Sequence, residues 1–275
     1  MGSMEYGPTD WDAAFRALSK RGHYLDAFLG DLKRRAYLNL IERWGGIPQA
    51  GRVLKTDLFE EAMGPDALLT ELCSDDVCTI GIDVSPLGAQ QARSNDAQAR
   101  AHYLIGDSRH LPFADRSFAL ILSPSSLDHF LDPSDLGRSL LELKRVLQPG
   151  GRLIITLDNR QNVFDPLLRL AIRLGLVPYY IGRSYTIREL CQELERAGLE
   201  VQDTMAIIHH PRLVAVGLVG LANALGLPPI TRVVQRALLA AQRLQGTRWQ
   251  YRMGCFVAAL AVRPRLSALQ AAQGG

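Results

Sequence analysis

No apolar run in this 275-residue chain reaches the ~18–20 residues that a bilayer-spanning helix needs. Cysteine is scarce: Cys73, Cys78, Cys191 and Cys255 form no CxxC pair and have no histidine at metal-ligand spacing. That pattern excludes a disulfide scaffold and a zinc-ribbon site, and it suits reduced thiols. Charge of one sign is also lacking, since the formal net charge is only +3. No basic run is interleaved with aromatics, so nucleic acid is not an expected partner. No secretory leader and no internal repeat is visible, and a cytoplasmic protein is expected. Met1-Gly2-Ser3 ahead of Met4 reads as an expression remnant and carries no argument.

What is present is ordinary globular material, 47% apolar and 21% charged, enough to bury one substantial core. Apolar spacing over 5–47 predicts helices, stopped by Gly45-Gly46 and Pro48. From residue 50 onward, strand and helix signals alternate, the pattern of a parallel sheet with crossover helices. Strands are expected at Val53-Leu54, Cys78–Asp83, His102–Ile105, Phe118–Leu122, Arg152–Leu157, Val201–His209 and Met253–Val262. Helices are expected at Ala67–Leu72, Pro86–Arg100, Leu136–Leu147, Phe164–Leu176 and Thr186–Ala197, and as two stretches over 212–245 broken by Pro228-Pro229.

Acidic and small polar residues follow the carboxyl ends of these strands, where open α/β sheets bind ligands. Asp83 ends the second strand, where a carboxylate accepts hydrogen bonds from ribose hydroxyls. Gly106-Asp107 ends the third, followed by Ser108 and the apolar Leu111-Pro112-Phe113, a setting suited to adenine. Asp158-Asn159 ends the fifth.

The segments TIGIDVS, YLIGDSRHLPFADRSFALILSPSSLDHF and LLELKRVLQPGGRLIITLDN resemble the class I S-adenosylmethionine (SAM)-dependent methyltransferases, over about residues 50–160. The resemblance implies an α/β Rossmann-like sheet of seven strands, mainly parallel, with the last antiparallel. It implies an N-terminal helical lid over 5–47, a SAM-binding core over 50–263 and a helical insertion over 211–247, before the last strand. SAM is the cofactor it implies. Asp83 and Val84 would hold the ribose, Gly106, Asp107 and Ser108 the adenine, and Ser123 would lie near the methionine part. Leu127-Asp128-His129 would form the wall between cofactor and acceptor. Tyr24 and Arg34 would close over the cofactor.

The first motif departs from that family. An acid and closely spaced glycines are usual after the first strand, because backbone must approach the cofactor there. Here Lys55 stands at the acid's place, and Phe59 and Glu61 stand where glycines belong. Two readings stand. Either the loop binds SAM in its own way, with Asp57 or Glu60 taking the α-ammonium and Lys55 the carboxylate, or the site has decayed into a scaffold.

Methyl transfer needs alignment more than side-chain chemistry, and a base only where the acceptor loses a proton. His129, His209 and Asp158 are the candidate catalytic groups. Asp128, Asn159, Tyr180, Tyr185 and His210 are candidate acceptor contacts, and no metal site is expected. The chain lacks an Asn-Pro-Pro-Tyr tetrapeptide after the fourth strand, which argues against a nucleobase or glutamine amine. The apolar helices and the arginines Arg232, Arg236 and Arg243 of the insertion favour a hydrophobic acceptor such as a lipid, quinone or polyketide; methylation at oxygen or nitrogen is expected first, with carbon as the alternative. The insertion reads as a pocket cover, a homodimer face, or a basic amphipathic surface lying on a membrane. A SAM-assisted cyclase or rearrangement enzyme and a non-catalytic partner protein are the alternative functions.

Overall fold

The computed structural model describes residues 11–19, 26–174, 181–226 and 228–265. Seven strands make one sheet: β1 (Gly51–Thr56), β2 (Val77–Asp83), β3 (His102–Ile105), β4 (Phe118–Pro124), β5 (Leu147–Asp158), β6 (Glu200–Ile207) and β7 (Phe256–Val262). Their order is β3-β2-β1-β4-β5-β7-β6. β1 to β5 pair in parallel, and β7 runs antiparallel to both β5 and β6. The parallel run β1–β5 is what the alternating pattern predicts, and the seven strands with an antiparallel last one are what the resemblance implies.

Both faces of the sheet are buried, which is why its central strands are apolar throughout rather than alternating with polar residues. Leu54, Ile121, Leu153 and Ile155 face one layer, where Leu136, Leu140 and Leu143 of α5 (Ser134–Val146) and Leu190 and Leu194 of α7 (Ile187–Arg196) cover them. Val53, Leu120, Leu122 and Ile154 face the other layer, against Tyr37, Leu40, Ile41 and Trp44 at the end of α2 (Ala27–Arg43). The period of about four residues on α5 and α7 puts their leucines on one stripe. Thr186 and Glu189 close a capping box at the start of α7. Gly198 ends that helix at φ 74°, a left-handed conformation that suits glycine.

Several boundaries differ from the expected ones, each for a local reason. The helix expected over Ala67–Leu72 is only a 3-10 turn, Leu69–Leu72. The Glu61 carboxylate accepts the Leu68 and Leu69 N–H groups (3.1 and 2.9 Å) and so replaces the helical hydrogen bonds. A short helix, α3 (Phe59–Met63), fills the first loop instead. Helix α4 (Pro86–Asn95) stops before Arg100, where the Asp96 carboxylate accepts the Ala101 N–H. The apolar helix α6 spans Asp165–Arg173 with Leu174 as its C-cap, and residues 175–176 of the expected span lie outside the described residues. β6 ends at Ile207, because Ile208 turns to φ 61°. Met253 belongs to a final helical turn, α10 (Gln250–Met253), and not to β7.

The remaining helices border the carboxyl edge of the sheet. α1 (Trp11–Ser19) docks through Asp12, which accepts from Ser85 Oγ at 2.5 Å. α8 (Arg212–Leu225) and α9 (Pro228–Ala241), parted at Pro228-Pro229 as expected, form the insertion before β7. Ala215, Val219 and Leu238 of this pair pack on Leu29 and Leu32 of α2.

Candidate active site

A cavity of about 650 Å³ opens at the carboxyl ends of β1, β2, β4 and β5. Trp11 and Phe15 of α1, Leu29 and Lys33 of α2, and Arg212, Ala215 and Val216 of α8 form its outer walls. The insertion therefore helps to cover the pocket.

The loop after β1 explains the missing glycines. Asp57 carries φ 143°, a conformation that glycine adopts freely and an L-residue rarely does, so the loop keeps a glycine-type backbone without glycine. The Asp57 carboxylate accepts the Phe59 N–H at 2.7 Å and so opens α3. Lys55 is fully buried and does not line the cavity, which overturns its expected role as partner of the cofactor's carboxylate. Its Nζ donates to Glu60 Oε2 (2.9 Å), Glu61 Oε2 (2.7 Å) and the Asp57 carbonyl (2.6 Å). Burial alone would lower the lysine's pKa, but Glu60, Glu61 and Asp57 more than offset it and hold the ammonium charged. The other oxygen of Glu60 meets Lys33 at 2.9 Å, and Lys33 also reaches Asp66 at 2.8 Å. Burial pushes the Glu60 carboxyl up, yet Lys33 and Lys55 together outweigh it and bring its pKa to about 2. Asp57 moves the other way, well above the usual carboxylate range, through burial and the neighbouring Glu60 and Asp83. The acid usual at the strand's end has moved to α3, and a lysine has taken its place as internal countercharge.

Asp83 lines the cavity with its carboxylate fixed by backbone: Leu58 N–H donates to Oδ2 (2.8 Å) and Ser85 N–H to Oδ1 (2.7 Å). Burial raises its pKa despite these two bonds. Exposed Val84 lies beside it. Gly106, Asp107 and Ser108 line the next stretch of wall. Arg109 grips Asp107 through Nε and Nη2 (2.6–3.0 Å) and reaches Asp135 at 2.7 Å. Burial pushes Asp107 up, but the Arg109 hydrogen bonds dominate and hold its pKa below the ordinary value.

The residues thus fit SAM. Asp57, Glu60, Asp83 and Asp107 line one pocket, matching a ligand that presents an ammonium, ribose hydroxyls and an adenine amine, and the two Asp83 oxygens keep free lone pairs after one N–H bond each.

Several expected site residues lie elsewhere. Ser123 is sealed inside the sheet, accepting from Thr56 Oγ1 at 2.9 Å, while Ser125 and Ser126 line the cavity. Asp128 is buried behind the wall, accepting from Ser125 Oγ (3.1 Å) and Asp158 N–H (2.7 Å). Burial lifts its pKa to about 6. Asn159 spends its amide on the Tyr251 and Gly254 carbonyls (2.6 and 2.8 Å) and tethers β5 to the approach of β7. Tyr185 belongs to the core. His209 is fully buried and outside the cavity. Arg34 pairs with Asp31 and Glu71, away from the pocket. Tyr24 and Tyr180 fall outside the described residues.

His129, Asp158 and His210 do border the cavity, beside Phe130, Ile208 and Phe256. His129 meets the edge of Trp11 at 5.8 Å and lies 3.8 Å from the Asp128 carboxylate. Asp158 is ion-paired with Arg212, whose guanidinium also donates to the Cys255 carbonyl (3.1 Å) and stacks 4.5 Å from the Phe256 ring centroid. Arg212 escaped the sequence reading; its only signal is a lone cation opening an apolar helix after Pro211.

His210 has a defined tautomer. The Gln242 oxygen accepts the His209 backbone N–H (3.2 Å), and its nitrogen donates to the Leu238 carbonyl (3.1 Å), which fixes the amide's orientation. That nitrogen also donates to His210 Nδ1 at 3.1 Å, so the neutral ring carries its proton on Nε2. Burial, with Arg212 and His209 nearby, lowers the His210 pKa to about 4. At neutral pH His210 is a hydrogen-bond donor and not a base.

This pKa has a stability consequence. A histidine neutral in the fold but titrating near ~6.5 unfolded adds stability above that value, which is lost as pH falls toward about 4. Denaturant melts at pH 7, 5 and 4 should show the His210→Gln variant losing less stability across that window than the parent protein. Equal losses would show that His210 is not held neutral.

Residues 62–155 match the family model described as a methyltransferase domain. A probable S-adenosylmethionine-dependent methyltransferase of Mycolicibacterium smegmatis is 31% identical over 160 residues, 56% of this chain and 57% of that protein. A ubiquinone/menaquinone biosynthesis C-methyltransferase of Dinoroseobacter shibae is 38% identical over 131 residues, 47% of this chain and 46% of that protein. The chain thus spans about half the length of these relatives. Among solved structures, a putative sarcosine dimethylglycine methyltransferase from Galdieria sulphuraria superposes with a TM-score of 0.56 at 16% identity, over 84% of this chain and 85% of that one.

Proposed function

We propose that the chain is a class I S-adenosylmethionine-dependent methyltransferase, on the strength of the methyltransferase-domain match over residues 62–155, and that it transfers a methyl group from SAM to oxygen or nitrogen of a hydrophobic small molecule. The observation that carries this reading is the division of one cavity into two chemistries. Acids line the end at β1–β3, while Ile208 after β6, Val216 of α8 and Phe256 of β7 line the cavity around Arg212.

SAM, when bound, supplies a methyl group already activated on a sulfonium. Asp83 would take the ribose hydroxyls, Asp107 the adenine amine, and Asp57 with Glu60 the α-ammonium. The chain's own work is then to align the acceptor and keep water out. Trp11, Phe15 and α8 close the cavity. His210 offers an N–H from Nε2, which orients an oxygen of the acceptor. Arg212, ion-paired with Asp158, places guanidinium N–H donors in the apolar half, where they would orient an acceptor oxygen and favour its deprotonated form before transfer. Where the acceptor must shed a proton, His129 and Asp158 border the space that receives it. Support for a lipophilic acceptor comes from the apolar lining and from the quinone-pathway name of one relative.

Calorimetric titration of the folded protein with SAM and with its demethylated product tests the reading. It should show micromolar binding of both, followed by label transfer from methyl-labelled SAM to a lipophilic phenol or quinol. Failure of both ligands to bind would leave a non-catalytic partner protein. Binding with acceptor turnover but no methyl loss would turn the assignment to a SAM-assisted rearrangement.

A further inference from the structure

We propose that the outer face of α6, α8 and α9 docks the protein on an anionic lipid bilayer. The inference stands without the methyl-transfer reading, since it rests on surface alone.

On α6, Leu167 and Leu170 are exposed on the side opposite buried Leu168 and Ala171, and Leu174, 63% exposed, continues their stripe. An ordinary surface helix turns such a stripe inward, and this one turns it out. On α8, Ala215, Val219 and Ala222 are buried, while Val214, Leu218 and Leu221, at the same helical spacing, are exposed. The two stripes adjoin: Leu167 and Leu168 share a crevice with Leu213 and Val214. On α9 the outward side carries Val233, 66% exposed, with Arg232 and Arg236. The adjoining apolar stripes of α6 and α8 are of the kind that marks a binding surface.

Charge identifies the occupant. Residues 213–245, which include all of α9, carry Arg232, Arg236 and Arg243 and no Asp, Glu or Lys. Arg173, Arg232 and Arg236 have no ion-pair partner among the described residues. Exposed apolar side chains together with unpaired arginines on α6 and α9 match an acyl layer beneath anionic headgroups, because the leucines enter the interface and each cation adds attraction to the negative surface. No helix among the described residues is long and apolar enough to cross a membrane, so contact is from one side. Val216, on the same helix as the outward stripe, lines the cavity, which places the apolar half of the pocket next to the docking face.

Flotation of the full chain with vesicles of phosphatidylcholine alone, or mixed with phosphatidylglycerol, tests the proposal. The protein should float with the anionic vesicles only and be released at high salt. Arg232→Glu with Arg236→Glu should weaken partitioning by roughly a hundredfold or more. Leu167→Ser, Leu170→Ser, Leu218→Ser and Leu221→Ser combined should abolish it. SAM titration of the same variants checks that each remains folded, and it reports on the cofactor site independently. No flotation of the parent protein overturns the proposal. So does a parent protein that is dimeric by light scattering and becomes monomeric in the leucine variant, which would give the face to a second copy.

Discussion

Lys55→Met should destabilise the protein by about 3–5 kcal/mol, the scale for removing one partner from a buried ion pair. Methionine keeps an unbranched apolar stem one heavy atom shorter than lysine's, so the change removes the ammonium and its hydrogen bonds while leaving most of the packing. Glu61 has the most to lose. Its Oε1 keeps the two N–H groups of Leu68 and Leu69, but Oε2 keeps no partner. Glu60 retains Lys33 on one oxygen only. Since α3 and the following turn are both built on these two carboxylates, the loop after β1 should loosen with them, and SAM affinity should fall as well. Urea unfolding at pH 7 measures the change. Adding Glu61→Gln should recover part of it, because the second change removes the stranded charge. A loss under about 1 kcal/mol would show that the cluster relaxes without its lysine and that Lys55 does not organise the loop.

Asp83→Ala should weaken SAM binding by about 2–3 kcal/mol, the scale for losing hydrogen bonds to a charged group. That is roughly a 30- to 150-fold rise in Kd. Asp83 reaches the cavity already oriented by two backbone N–H bonds, so none of its binding energy is lost to ordering a mobile side chain. Asp107→Ala should cost less, since Arg109 already engages that carboxylate. Calorimetry on variants with unchanged thermal unfolding gives both numbers. An Asp83→Ala variant that binds SAM as the parent does would place the ribose elsewhere.

The residues legible from sequence share one property: they follow directly from a strand's end. Asp83, Gly106-Asp107 and Asp158 sit where a parallel strand delivers its last residue, and all border the cavity. Ser123 shows the limit of that rule. β4 runs on to Pro124, so Ser123 stays within the ladder against Thr56, and Ser125, at φ 43°, makes the turn into the cavity. His209 and His210 are indistinguishable in the sequence. The backbone reversal at Ile208 and the amide of Gln242, 32 residues away from His210, decide that one is sealed and the other presents Nε2–H.

The succession of strands and helices along the chain, the apolar central strands and the helix stripes were determined by the sequence itself, because periodicity and turn residues act over a few positions and need no partner from afar. The identity of the countercharges was decided only in three dimensions. Lys55 at the acid's place looked like a cofactor ligand until α3 folded Glu60 and Glu61 back onto it. Arg212 went unread in the sequence, and its place in the site comes from β5, which brings Asp158 to it. A charge says nothing along the chain about which opposite charge will meet it, and burial, which forces the meeting, belongs to the tertiary structure.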